Sequence, residues 1–111
     1  MQILFASERD KKLFESKTEP TRRFGAESAK KLTRTLDDLD AAASMEEMRC
    51  LPGKWEELKG SRSGQFSARL AGGNRLIVKP SKQPAPVRPD GGTDWRAIDS
   101  ITVIEVVDYH D

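Results

Sequence analysis

Of 111 residues, one is a cysteine, one a histidine and one a tyrosine, and each scarcity closes off a chemistry. A lone Cys50 forms no intrachain disulfide, and a single imidazole leaves no ligand set for zinc; neither metal nor other cofactor is expected. A serine triad needs a histidine base beside its nucleophile, and His110 is the sole candidate, with no serine in a nucleophile-elbow setting. P-loop and GxGxxG motifs are absent. No apolar run approaches the roughly 18 residues of a membrane span. The opening MQILFASERD lacks the basic and then apolar pattern of a signal peptide. These absences predict a cytoplasmic chain with no membrane partner. An excess of charge is missing too: 19 basic against 18 acidic residues leave a net +1. Any footprint for nucleic acid must therefore be local.

What is present is a highly charged chain, 33% Asp, Glu, Lys and Arg, of a length that predicts one domain over residues 1–111. Residues 1–6 are an apolar run that predicts a first strand. Ser7 with Asp10 three positions on has the spacing of a capping box, so a helix is expected from Glu8, burying Leu13 and Phe14 and stopping before Pro20. That proline can also open the next helix. Ala29, Leu32, Leu36, Leu39 and Ala43 step by three and four, the apolar stripe of a helix packed across a sheet, with Lys30, Lys31, Arg34, Asp37 and Asp38 on its other side. Ser44 and Glu47 repeat the capping spacing and predict a short helical turn over 45–50, closed by Pro52 and Gly53. Residues 80–95 hold four prolines and two glycines, which predicts a long loop, its far end pinned by Trp95 and Ile98. Ile101, Val103, Ile104, Val106 and Val107 predict a last strand, apolar on both faces and so central in its sheet.

The chain is organised around residues 58–78, LKGSRSGQFSARLAGGNRLIV. Phe66, Ala68 and Leu70 alternate with Gln65, Ser67 and Arg69, the period of a half-buried strand, and Gly72-Gly73-Asn74 signals a hairpin turn. An odd loop length matches Phe66, Ala68 and Leu70 with Leu76 and Val78, and throws Arg69, Arg75 and Lys79 onto the opposite face near Ser67. Lys54, Lys59, Arg62, Arg69, Arg75 and Lys79 face only Glu56 and Glu57 along this stretch. Such a surface can receive a phosphate backbone, with Arg62, Arg69 and Lys79 as RNA-binding candidates, or it can be a solvated hairpin. The ending Asp108-Tyr109-His110 likewise reads either as a polar tail or as part of a site. A histidine, carboxylates, a tyrosine and cations are the groups that RNA phosphodiester cleavage requires. They are a base for the 2′-OH, cations for charge developing on phosphorus, an acid for the leaving 5′-oxygen and a ring for stacking.

The ordered set LKGSRSGQFSARL, then Arg75-Leu76-Ile77-Val78, then VIEVVDYHD resembles HigB-like toxins of the RelE/ParE superfamily. The resemblance implies an α+β fold, two N-terminal helices packed on a small, mainly antiparallel sheet. It implies a metal-independent endoribonuclease that cleaves mRNA on the ribosome, the toxin of a type II toxin–antitoxin pair. The partners would be the ribosome, mRNA and a cognate helix-turn-helix antitoxin, with operator DNA reached only through that antitoxin. Carried over by position, the active-site lysine is Lys59, the strand arginine Arg75 and the C-terminal group Asp108, Tyr109 and His110. Relatives carry a second histidine just ahead of Leu58-Lys59-Gly60, where this chain has Glu56, so a two-histidine mechanism is closed and the base falls to Glu56 or Asp108. The loop 80–99 is longer than in compact members, and the near-neutral charge departs from theirs. The Asp-Tyr-His ending argues against the gyrase-poisoning branch. A module of the same fold that binds protein through a degraded site is the alternative.

Overall fold

A computed structural model describes residues 1–109. In chain order its elements are β1 (Gln2–Phe5), α1 (Glu8–Glu15), α2 (Glu19–Phe24), α3 (Ala26–Ala41), α4 (Met45–Met48), β2 (Glu56–Glu57), β3 (Phe66–Arg69), β4 (Asn74–Pro80) and β5 (Ser100–Asp108), with 3-10 turns at Gly60–Arg62 and Trp95–Ala97. The helix starts follow from local chemistry. Ser7 caps α1, its hydroxyl accepting from the Asp10 amide at 3.1 Å. Pro20 sits in the first turn of α2, where its missing N–H is no loss. Gly25 then takes a φ of 87° and separates α2 from α3, so a short additional helix lies between the two that were expected. At α4 the expected capping box does not form. Ser44 makes no side-chain cap, and the Glu47 carboxylate instead accepts from the Ala43 amide at 2.6 Å.

The sheet runs β1-β5-β4-β3-β2, with β1 parallel to β5 and every other pairing antiparallel. The interior position expected for the last strand is therefore observed. The three strands within residues 1–6 and 66–80 are legible in the sequence; the two-residue β2 at the sheet's edge is not. Along the hairpin, Phe66 faces Val78, Ser67 faces Ile77, Ala68 faces Leu76 and Arg69 faces Arg75, the register that the alternation demanded.

One face of the sheet meets α3. Leu32 and Leu39 from the helix, Met45 and Met48 from α4, and Phe66, Leu76, Val78, Ile101 and Val103 from the strands form one continuous core. Burying each large side chain contributes roughly 1.5–3 kcal/mol. The expected stripe holds with one change: α3 ends at Ala41, and Ala42 rather than Ala43 enters the core. Ser28 and Thr35 are buried as well, which the stripe does not predict. Thr35 satisfies its hydroxyl on the Lys31 carbonyl at 2.8 Å, and Ser28 takes the Asn74 amide at 2.8 Å, tying α3 to the β3–β4 turn. Among the described residues, no helix is long and apolar enough to cross a membrane.

Candidate active site

Side chains alternate across a strand, so ladder register decides which polar groups share the face turned away from α3. Ser67 pairs with Glu56 on one side and Ile77 on the other, Ile77 pairs with Glu105, and Arg69 pairs with Arg75, which pairs with Val107. Glu56, Ser67, Arg69, Arg75, Ile77 and Glu105 therefore lie on the far face. Lys79 shares it two residues further along, opposite Thr102. Ser67 and Ile77 are nonetheless buried, at 2% and 0% exposure. Arg62 lies across this face: it donates to Gln65 Oε1 at 2.9 Å and reaches Glu105 Oε2 at 3.0 Å. Of the expected cations, Arg62 is thus committed to a carboxylate within the fold. Glu105, the one acid in the interior of an otherwise apolar strand, is the signal for it in the sequence.

Glu57 pairs with Phe66 and so points to the helix side. There its two oxygens accept from Thr93 at 2.8 Å and from the Trp95 indole at 3.1 Å. Trp95 packs edge-on against Phe66, ring centroids 4.6 Å apart, and the Arg49 guanidinium lies 3.7 Å above its ring. These contacts bring the loop between β4 and β5 against the sheet's edge. Val87 and Thr93 form a bridge there, and Asp90 accepts from the Gly92 amide. That hydrogen bond, helped by the nearby Arg88, holds the Asp90 carboxyl below its ordinary value. The loop thereby delivers Arg88 to a recess of about 540 Å³ that Glu56, Lys59 and Ser63 also line. Arg88 was not among the expected site residues, since nothing in the proline-rich stretch locates its return.

Arg69 and Arg75 line a different groove, around the hairpin end of the sheet. Arg75 donates Nη1 to the carbonyls of Gly72 at 3.2 Å and Asn74 at 3.0 Å, which fixes its guanidinium over the turn. The end of β5 closes on the same turn. Asp108 pairs with Asn74, which puts it on the helix-side parity rather than with Arg75, and the Tyr109 amide donates to the Gly73 carbonyl at 2.9 Å. Tyr109 is 41% exposed. A β-carbon on Gly73 would stand 2.6 Å from Asp108 Oδ1 and closer still to the Tyr109 carbonyl, so only glycine permits this junction. His110 lies outside the described residues. Lys79, at the opposite end of β4 from Arg75, is not gathered with the others. The face thus brings Glu56, Arg69 and Arg75 to one side, with Lys59 beside Glu56 and Tyr109 at the hairpin turn.

This arrangement, a mixed sheet with one parallel edge strand, helices on one face and a polar opposite face, is the α+β fold of the YoeB/ParE toxins. Among solved structures, a YoeB/ParE toxin from Agrobacterium tumefaciens has a TM-score of 0.58 at 18% identity, covering 99% of this chain and 100% of that one. The YoeB–YefM complex from Staphylococcus aureus gives 0.54 at 20% identity, covering 100% of this chain and 98% of that one. The YoeB dimer from Staphylococcus aureus gives 0.50 at 21%, with the same coverage. At these identities the likeness is one of fold. No protein-family model and no curated protein matches the chain.

Proposed function

We propose that the chain is the toxin of a type II toxin–antitoxin pair and acts as a ribosome-dependent, metal-independent mRNA endoribonuclease. The observation that supports this reading best is the shared far face of Glu56, Arg69 and Arg75, on a fold that YoeB/ParE toxins also adopt. The HigB-like branch is suggested by Leu58-Lys59-Gly60 and the Asp108-Tyr109-His110 ending.

The chemistry assigns each group a task. Glu56 takes the proton of the ribose 2′-OH, whose oxygen attacks the adjacent phosphorus; the bond from phosphorus to the 5′-oxygen breaks, leaving a 2′,3′-cyclic phosphate. Glu56 is chosen over Asp108 because it lies on the face of Arg75, whereas Asp108 pairs with Asn74 on the other parity. Lys59 and Arg75 neutralise the charge that builds on the phosphoryl oxygens, Arg75 with a planar fork already oriented by the turn. Tyr109 offers a ring to a splayed base. His110 protonates the departing 5′-oxygen, a role that its place in the sequence motif suggests. The partners are the ribosome with its mRNA, and an antitoxin whose acidic or amphipathic element covers Lys59, Arg69 and Arg75.

One observation favours the second reading, a protein-binding module of this fold without activity. Glu56 and Lys59 line one recess while Arg69 and Arg75 line another. Expression of the chain alone decides between them. The toxin reading predicts growth arrest with new transcript ends inside codons, abolished by Arg75→Ala, which should lower cleavage about 10²- to 10³-fold with the fold intact. Growth and transcripts untouched by the wild-type chain would support the binding module instead.

A further inference from the structure

The groove around the hairpin end has a feature that the cleavage chemistry does not need. It measures about 400 Å³, and five of its lining side chains are cationic: Lys31 and Arg34 from α3, Lys54 from the loop ahead of β2, and Arg69 and Arg75 from the hairpin. No acidic side chain among the described residues lines it. Among the described residues, none of the five takes part in an ion pair. This stands out in a chain whose net charge is only +1.

Two further observations indicate that the cations are held together against their repulsion. Arg69 and Arg75 are direct cross-strand partners. The Leu70 amide bonds the Asn74 carbonyl next to them, so theirs is the non-hydrogen-bonded type of pair, in which side chains approach most closely. Like charges in that position destabilise a hairpin unless an anion lies between them. Lys54, for its part, has a φ of 47°, the left-handed region, which a β-carbon disfavours. The segment is anchored there by the Arg69 amide, which donates to the Gly53 carbonyl at 2.7 Å.

We infer that this groove is a binding site for successive phosphates of an RNA strand, extending from the far face around the hairpin end onto the outer side of α3. The inference rests on the reading of the chain as one that acts on RNA, and adds Lys31, Arg34 and Lys54 as contacts outside the chemistry. A peptide anchored by apolar side chains is disfavoured as the groove's own ligand, because its apolar lining is Pro52 and Leu70, and Leu70 is already 4% exposed in the core; the antitoxin element proposed above would compete for Arg69 and Arg75 by charge. There is little apolar surface for a peptide side chain to cover, whereas a phosphate backbone is held by charge alone. Either mRNA or ribosomal RNA presents this chemistry.

The test uses the full chain with the paired substitution Lys31→Gln/Arg34→Gln, on exposed positions of α3, and Lys11→Gln/Lys12→Gln on α1 as a control of equal charge change. Binding to a labelled single-stranded RNA of about 12 nucleotides and to ribosomes free of mRNA is followed between about 50 mM and 200 mM salt. Each lost phosphate contact reduces the slope of log affinity against log salt by about 0.7 for a single strand. The α3 pair should therefore flatten the slope by about 1.4, which makes the loss of affinity over that range about seven-fold smaller. The control pair should change it little. A flattened slope on the oligonucleotide assigns the groove to mRNA, and one seen only on ribosomes assigns it to ribosomal RNA. Unchanged slopes on both, or equal changes from the control pair, overturn the inference. So does a loss confined to the binding of an acidic peptide such as oligoglutamate. Binding rather than cleavage is read, so a chain that binds RNA through this groove yet never cuts it would refute the nuclease reading and leave the groove standing.

Discussion

At the scale of single residues, the proposed cleavage chemistry can be tested at one glycine junction and at His110. Gly73 has no room for a β-carbon against Asp108 and Tyr109, whereas its neighbour Gly72 has open space but a φ of 58°. The two substitutions to alanine should therefore fail differently. Gly72→Ala should lower stability by about 1–2 kcal/mol through its left-handed backbone and leave cleavage nearly intact. Gly73→Ala should cost about 1–3 kcal/mol of overpacking and also displace the chain that carries Tyr109 and His110, lowering cleavage well beyond the loss of folded protein. Urea unfolding with single-turnover cleavage on the ribosome separates these outcomes; equal activity in both variants would remove the junction from the mechanism. For His110, the change to Gln should slow cleavage roughly 10²-fold or more while ribosome binding persists. A substrate whose 5′-bridging oxygen is replaced by sulfur leaves without protonation and should recover most of that rate. No recovery would pass the acid role to another group, with Asp108 or Tyr109 the next candidate.

At the scale of elements, the proline-rich loop is fastened to the sheet by Glu57, through Thr93 and the buried indole of Trp95. Glu57→Ala would leave the Trp95 N–H without its acceptor and should cost about 2–3 kcal/mol, with faster amide exchange over residues 86–95. Glu57→Gln keeps one acceptor oxygen and should cost less. Exchange rates identical to wild type in the alanine variant would mean that the loop is held by the Trp95–Phe66 packing alone. These elements also mark how far the sequence could be read. Alternating Phe66, Ala68, Leu76 and Val78 determined the hairpin register, because an apolar side chain on the wrong face costs burial at every rung. Ser7 marked the start of α1 through its own hydroxyl. By contrast, β2 is two residues long and has no period to detect. The break at Gly25 has a local signal, a glycine after Phe24 that takes a left-handed φ, but the Arg62–Glu105 pairing over 43 positions and the return of Arg88 to the Glu56 recess depend on tertiary contacts, which no local pattern encodes. The cations of α3 read as a solvated helix side; only the packing of α3 beside the hairpin brings Lys31 and Arg34 to Arg69 and Arg75.

At the scale of the whole molecule, charge is balanced overall and concentrated locally. A net charge of +1 provides little long-range attraction for RNA, and Glu56 with Lys59 lines one recess while Arg69 and Arg75 line another, rather than one closed cavity. A nuclease built this way needs its substrate positioned by something else, and the ribosome, which holds mRNA in register, would supply that. The most direct measurement is a reconstituted translation reaction with purified protein, in which the ends of one mRNA are mapped with and without ribosomes engaged on it. The account predicts cuts inside codons of the translated message and little cutting of the same RNA when naked; equal cutting of both, or of neither, would contradict it.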